Sequence, residues 1–217
     1  MKLSDYTLAV LKNFSTINSG LVLQTGSKQR TMSPEKTILV EVDLEDSFNH
    51  RFGIYDLVQF LGNVTTLNNP ELEFSDKFVK MSDGTFDLFY LSCSPELVIS
   101  PPDKSLVMEN PDVKFNLTNS ILTKTLRLAS MNGLPNLSFI GKDGSLDLRV
   151  HEKSNDTSNY VHTKLIDYTG KDFMATFSTE NIKIMPDDYD VEIKSGTFGE
   201  FKSKNKNVTY WIALETK

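Results

Sequence analysis

The sequence predicts an α+β protein built from two similar halves, and three observations lead there. Short runs alternating between apolar and polar residues, the mark of half-buried strands, fill most of the chain. A few segments instead place apolar residues at the helix period. The order of strands and helices met before a proline-containing stretch at 95–105 is met again after it. This predicts a first domain at 1–94, a connector at 95–105 and a second domain at 106–217.

Ser4 can cap a helix running to about Phe14, with Leu8, Val10, Leu11 and Phe14 on the packing side and Asp5 and Lys12 together elsewhere. Strands follow in GLVLQTGSKQRTM, KTILVEVDLED and HRFGIY. A short helix in DLVQFLGNV has Leu57, Phe60 and Leu61 at helical spacing, and strands return in ELEFSD, KFVKMSDG and TFDLFYLSC, with a hairpin turn at Asp83 and Gly84. Pro95, Pro101 and Pro102 then resist regular structure, so PELVISPPDKS reads as an extended surface connection.

The second half opens with a strand near VKFNL and a helix in TNSILTKTLRLASM. A strand pair turning at Lys142, Asp143 and Gly144 comes next, then NYVHTKLIDY, DFMATFS, a short helix or turn at TENIKIM, and the strands DYDVEIKSG, TFGEFKSK and NVTYWIALE. The repeat is plainest between 52–91 and 173–214, where LEF at 72–74 compares with VEI at 191–193 and LFYL at 88–91 with YWIAL at 210–214.

Charge singles out one helix. The chain has 29 acidic residues against 23 Lys and Arg, a formal charge of −6, yet residues 116–131 contain Lys124 and Arg127 and no acid. On a wheel, Ile121, Leu122, Leu126, Leu128 and Ala129 share an apolar arc; Asn119, Ser120, Thr123, Arg127 and Ser130 lie opposite, with Lys124 at the edge. Such a face suits a phosphate backbone, because the cations reach its oxygens and the small polar residues allow approach. The plain alternative is a solvated face on which two cations fall by chance. Lys2, Lys12 and Lys183 add to the electropositive reading, each with an acid nearby or an equally good reading as an exposed lysine.

Searches for chemistry find no HExxH, no cysteine pair and no phosphate-binding loop, and GTFGEF lacks the strand-turn-helix setting of a dinucleotide site. His151 and His162 flank a hairpin loop, where Glu152 and Asp156 are the local candidates to complete a metal site; both histidines read better as surface residues. Cys93 reads as a small buried hydrophobe, and Asp187 with Asp188 as a polar turn after Pro186. Tyr210 and Trp211 alternate on the last strand, so one is expected inward and the other accessible. No metal, cofactor or catalytic residue is predicted. With no 18-residue apolar span, no secretory start and one cysteine, the expectation is an intracellular protein away from membranes, in which the Asn-X-Ser/Thr triplets are not glycosylated.

The opening MKLSDYTLAVLKNFSTINSG resembles the start of the sliding clamps of T-even-like bacteriophages, the processivity factors of their DNA polymerases. GIYDLVQFLG, PELVISPPDK, LTKTLRLAS, NIKIMPDDYDVEI and VTYWIALE continue the resemblance in order along essentially the whole chain. It implies a DNA-clamp fold: two similar α+β domains per subunit, three subunits in a ring, antiparallel sheets outside, and helices around a hole for duplex DNA of any sequence. Lys2, Lys12, Lys124, Arg127 and Lys183 become candidates for the DNA-facing surface. The resemblance further implies that the polymerase's C-terminal peptide docks in an outer pocket, for which Leu97, Val98, Ile99, Trp211 and Ile212 are candidates. It also implies an ATP-driven clamp loader as a separate partner, no catalysis, and residence in the cytoplasm of an infected bacterium. Coupling to late-transcription factors is left open, because little sequence follows the last strand and the loop SKQRTMSPEKT can differ in length among relatives. Two rivals stay open beside the ring: an interaction module of one or two chains, and a metal-dependent hydrolase.

Overall fold

Ser4 begins the first helix as its side chain allows, and the computed structural model, which describes residues 1–104, 106–155 and 157–215, shows how. The Ser4 hydroxyl accepts the Thr7 amide at 3.1 Å, while its own amide donates to Asp46 Oδ2 at 2.7 Å. Helix α1 spans Asp5–Ile17, three residues beyond the predicted end, and buries Thr7, Val10, Leu11, Phe14 and Ile17. Helix α2, Leu57–Thr66, is capped by Asp56, whose Oδ1 accepts the Gln59 amide at 2.8 Å, and it packs on α1.

The chain divides into two compact units, Met1–Lys104 and Ser105–Lys217. In the first, β1 (Leu21–Leu23) pairs with β4 (Phe52–Ile54), and β2 (Gly26–Met32) with β3 (Ile38–Phe48), all antiparallel. A meander of β5 (Glu71–Phe74), β6 (Phe78–Ser82) and β7 (Asp87–Leu91) completes the unit. Phe48 and Phe52 both meet the edge of Phe74, with centroids 5.5 and 5.4 Å apart, and Phe60 meets Tyr90 at 5.3 Å. Gly53 is required where it stands, because a Cβ there would lie 2.2 Å from the Cys93 carbonyl oxygen. Cys93, expected to be buried, is half-buried, and burial pushes its thiol pKa up.

The second unit contains β8 (Val113–Leu117), α3 (Asn119–Asn132), β9 (Asn136–Lys142), β10 (Ser145–His151), β11 (Val161–Asp167) and β12 (Phe173–Ser178). Beyond them lie β13 (Tyr189–Lys194), β14 (Phe198–Ser203) and β15 (Val208–Ala213). Strands β11, β10, β9 and β12 lie side by side in that order, as do β8, β13, β14 and β15. The meander of β5 to β7 thus recurs as β13 to β15, which is the repeat seen in the sequence. Phe115, Phe139, Phe177 and Phe201 form a continuous aromatic chain through the core, with centroid separations of 4.9, 6.0 and 5.7 Å. The segment TENIKIM makes only a 3-10 turn over Thr179–Asn181, since Ile182 and Met185 are drawn into the core and Pro186 ends any helix.

Each unit has a sheet with one edge covered and the other open. Met1 and Leu72 exchange two backbone hydrogen bonds of 2.7 Å, covering β5, and the Glu215 amide donates to the Thr176 carbonyl at 2.8 Å, covering β12. Strands β7 and β11 end their sheets on the other side.

Asp187 is a buried carboxylate that ties the start of β13 to the end of β14. Burial opposes its charge, but hydrogen bonds from Ser203, from Asn205 Nδ2 at 2.6 Å and from the Asp188 amide at 2.8 Å outweigh it, and Lys206 Nζ stands 3.3 Å away. Its pKa is held well below the ordinary 3.8. A depressed pKa gives stability that is complete above the unfolded value and lost as pH falls through the folded one. Asp187→Asn is therefore expected to destabilise by on the order of 3 kcal/mol at neutral pH. The difference from wild type in urea unfolding should shrink as pH drops below 3.8; an equal loss at every pH would exclude the charge as its cause.

Candidate functional site

Helix α3 ends where Gly133 takes the left-handed conformation, φ +63°, and the Leu134 amide returns to the Ala129 carbonyl at 2.9 Å. Its buried residues are Leu122, Thr125 and Ala129, while Ile121, Leu126 and Leu128 are half-buried. The packing stripe is thus centred on Thr125, which the wheel did not include. The far side exposes Ser120, Thr123, Lys124, Arg127 and Ser130. Neither cation has an ion-pair partner among the described residues.

On α1 the exposed residues are Asp5, Ala9, Lys12 and Thr16, and Lys2 is exposed just before it. The body of α2 carries no charge at all. Three cations against the single Asp5 give the α-helices a net charge of +2, which leaves −8 for the rest of the chain. Charge in this protein is segregated by element. Lys183 is half-buried, in the irregular stretch after the 3-10 turn.

The connector makes a 3-10 turn over Pro95–Leu97 and then continues to residue 104 without regular secondary structure. Leu97 and Ile99 are 66% and 44% exposed, whereas Val98 is buried. They line a cavity of about 250 Å³ with Asn18, Ser19, Gly20, Pro34, Tyr55 and Asp56. That is below the roughly 300–1,000 Å³ of a small-molecule pocket and suits the insertion of a side chain or two. Tyr55, 67% exposed, joins the apolar rim, and nothing in its local sequence marked it. Trp211 and Ile212 do not line this cavity. Both are buried on β15, where the indole Nε1 donates to Glu200 Oε2 at 2.7 Å. The expectation that one of Tyr210 and Trp211 would be accessible is corrected: Tyr210 is in the core, and Glu200 across the strand covers Trp211 on the other face.

The remaining candidates are bound to protein groups. His151 Nε2 is 2.9 Å from Ser138 Oγ, and burial, aided by Arg149, holds its pKa below the ordinary value. His162 Nε2 faces Asp147 Oδ2 at 3.0 Å. Asp156 lies outside the described residues. Asp188 accepts the Asn119 amide at 2.7 Å and so helps to cap α3, a task distinct from that of Asp187. Among the described residues no group of three or more His, Cys, Asp or Glu could hold a metal, and no helix is long and apolar enough to cross a membrane.

Solved PCNA structures share this architecture. The chain matches the PCNA2–PCNA3 complex of Sulfolobus tokodaii at a TM-score of 0.73 and 14% identity, covering 100% of both chains. It matches A. fulgidus PCNA, solved with the C-terminal region of FEN-1, at 0.70 and 15% identity, covering 97% and 95%. The fold is therefore the α+β clamp fold of antiparallel sheets and helices. The sequence model described as DNA polymerase processivity factor matches residues 2–82. The sliding clamp of Vibrio phage KVP40 is 31% identical over 99% of each chain, and that of Enterobacteria phage T4 29% identical over 99% of this chain and 97% of its own. The chain belongs to the sliding-clamp family of DNA polymerase processivity factors. Its role is that of a clamp, which encircles DNA and tethers the replicative polymerase without chemistry of its own.

Proposed function

We propose that this clamp acts as a ring of three identical chains through which duplex DNA passes without regard to sequence. The segregation of charge carries this reading: the helices bear +2 in a chain of −6, and Lys124 and Arg127 stand on an acid-free face without an ion-pair partner among the described residues. Helices turned to the hole would present Lys124, Arg127 and Lys12 to phosphates, with Lys2 and Lys183 nearby. Contacts so sparse give weak, salt-screened attraction that permits sliding, while enclosure supplies the long residence.

Two different open edges on one chain favour ring formation. Strand β7 exposes Phe89 and Leu91, with Phe86 just before it, and β11 exposes Ile166. An apolar open edge invites another strand, and a contact between unlike edges makes a ring when the rotation closes. The apolar rim of Leu97, Ile99 and Tyr55 would receive the polymerase's C-terminal peptide. A clamp loader driven by ATP would open the ring, in the cytoplasm of an infected bacterium, and late-transcription factors would be further users of the same rim.

Light scattering on the eluting native protein, over a concentration series, tests the ring. A mass of three chains is expected. A single-chain mass at every concentration, with processive synthesis intact, would overturn it.

A further inference from the structure

The connector cavity has four walls that are distant in sequence, and one buried side chain ties them together. Asn18, 6% exposed, ends α1 with its amide on the Phe14 carbonyl at 2.9 Å. Its Nδ2 donates to the Ile99 carbonyl on the connector and to the Met32 carbonyl at the end of β2, both at 2.9 Å. Its Oδ1 accepts the Gly20 amide at 3.0 Å. The carbonyl of Ser19 beside it accepts the Leu57 amide at 2.7 Å and so fixes the junction bearing Tyr55 and Asp56. A second latch holds the connector farther on: Arg30, paired with Glu41 at 3.3 Å, donates to the carbonyls of Pro102 at 2.6 Å and Asp103 at 3.3 Å. That latch reaches no residue of the cavity.

We infer that Asn18 is the positioning residue of the docking pocket, the side chain that shapes it before a peptide arrives. The inference rests on the reading of this cavity as the peptide site. Residues 98–104 carry no strand, so little else fixes the connector's carbonyls relative to α1. A carboxamide offers two donors and an acceptor on one short side chain, and Asn18 uses all three. Aspartate has the same shape but no donor, and it would set a carboxylate against the Met32 and Ile99 carbonyl oxygens. A pocket formed in advance spares the ordering cost of binding, so releasing the connector weakens the peptide without removing any atom that touches it.

The test uses the full chain and a fluorescent peptide copying the C-terminal segment of its cognate DNA polymerase. Wild type, Asn18→Asp, Asn18→Ser and Leu97→Asp are titrated, and amide hydrogen exchange is followed in each. Asn18→Asp is expected to weaken binding about tenfold or more and Asn18→Ser, which keeps one donor, by less. Exchange at the Leu97 and Val98 amides should quicken while α1 stays protected; a mere loss of stability would quicken α1 as well. Binding by both Asn18 variants within about twofold of wild type, with Leu97→Asp abolishing it, would overturn the role of Asn18 and leave the pocket standing. Normal binding by Leu97→Asp would overturn the pocket reading and this inference with it. Should Asn18→Asp fail to fold, Asn18→Ser decides on the same comparison.

Discussion

Leu91→Asp is expected to convert the proposed three-chain assembly largely to single chains and to abolish processive synthesis at the concentrations that suffice for wild type. Leu91 is 72% exposed on the open edge of the β5 to β7 meander, so within one chain the change costs little. Covering a leucine of that size contributes about 1.5–3 kcal/mol, and every 1.4 kcal/mol is tenfold in an association constant. Each contact between chains should therefore weaken by one to two orders of magnitude, before counting the cost of burying a carboxylate. The loss recurs at every interface of a ring. Light scattering reads the mass, and a primer-extension assay reads the processivity. An unchanged mass with unchanged circular dichroism would remove β7 from the interface. Thr25→Asp, at an exposed position outside the helices and both open edges, is a suitable control for a surface acid placed elsewhere.

What could be read from the sequence was what depends on neighbours along the chain. Ser4 announced α1, and the wheel put Arg127 on the polar arc of α3 with Lys124 at its edge, where the structure exposes both. The two meanders were visible because alternation and turn residues are local. The wheel of α3 went astray at Thr125, because burial there is decided by the sheet beneath and not by the residue's polarity. Trp211 went astray for a related reason: alternation tells which face a residue takes, and not what covers that face, here Glu200 reaching across from β14. The pocket shows the limit most clearly. Leu97 and Ile99 could be suspected from an apolar run between prolines, but Asn18 and Tyr55 join it only through folding. Closure of β5 by Met1 and of β12 by Glu215 is equally non-local, and it is this closure that leaves β7 and β11 as open edges.

Replacing Lys124 and Arg127 together by glutamate should reverse the sign of the α3 face and, with it, the response of the clamp to salt. Both side chains are exposed and free of ion pairs among the described residues, so stability should stay within about 0.5 kcal/mol of wild type. In the proposed ring the change acts once per chain, turning an acid-free stripe with two cations into a negative one. Wild type gains attraction to phosphates at low ionic strength and loses it as salt is added, because neutralised phosphates release counterions. The variant meets repulsion instead, and salt relieves it. Loading and processive synthesis should fall steeply for the variant near 0.05 M salt, differ less near 0.15 M, where the Debye length is about 8 Å, and converge toward 1 M, where it is about 3 Å. Opposite slopes are the signature, since a folding or assembly defect would lower activity at all salts without changing their sign. Equal processivity of variant and wild type at moderate salt would mean that α3 does not face DNA, and the helix nearest the phosphates would then have to be sought in α1 around Lys12.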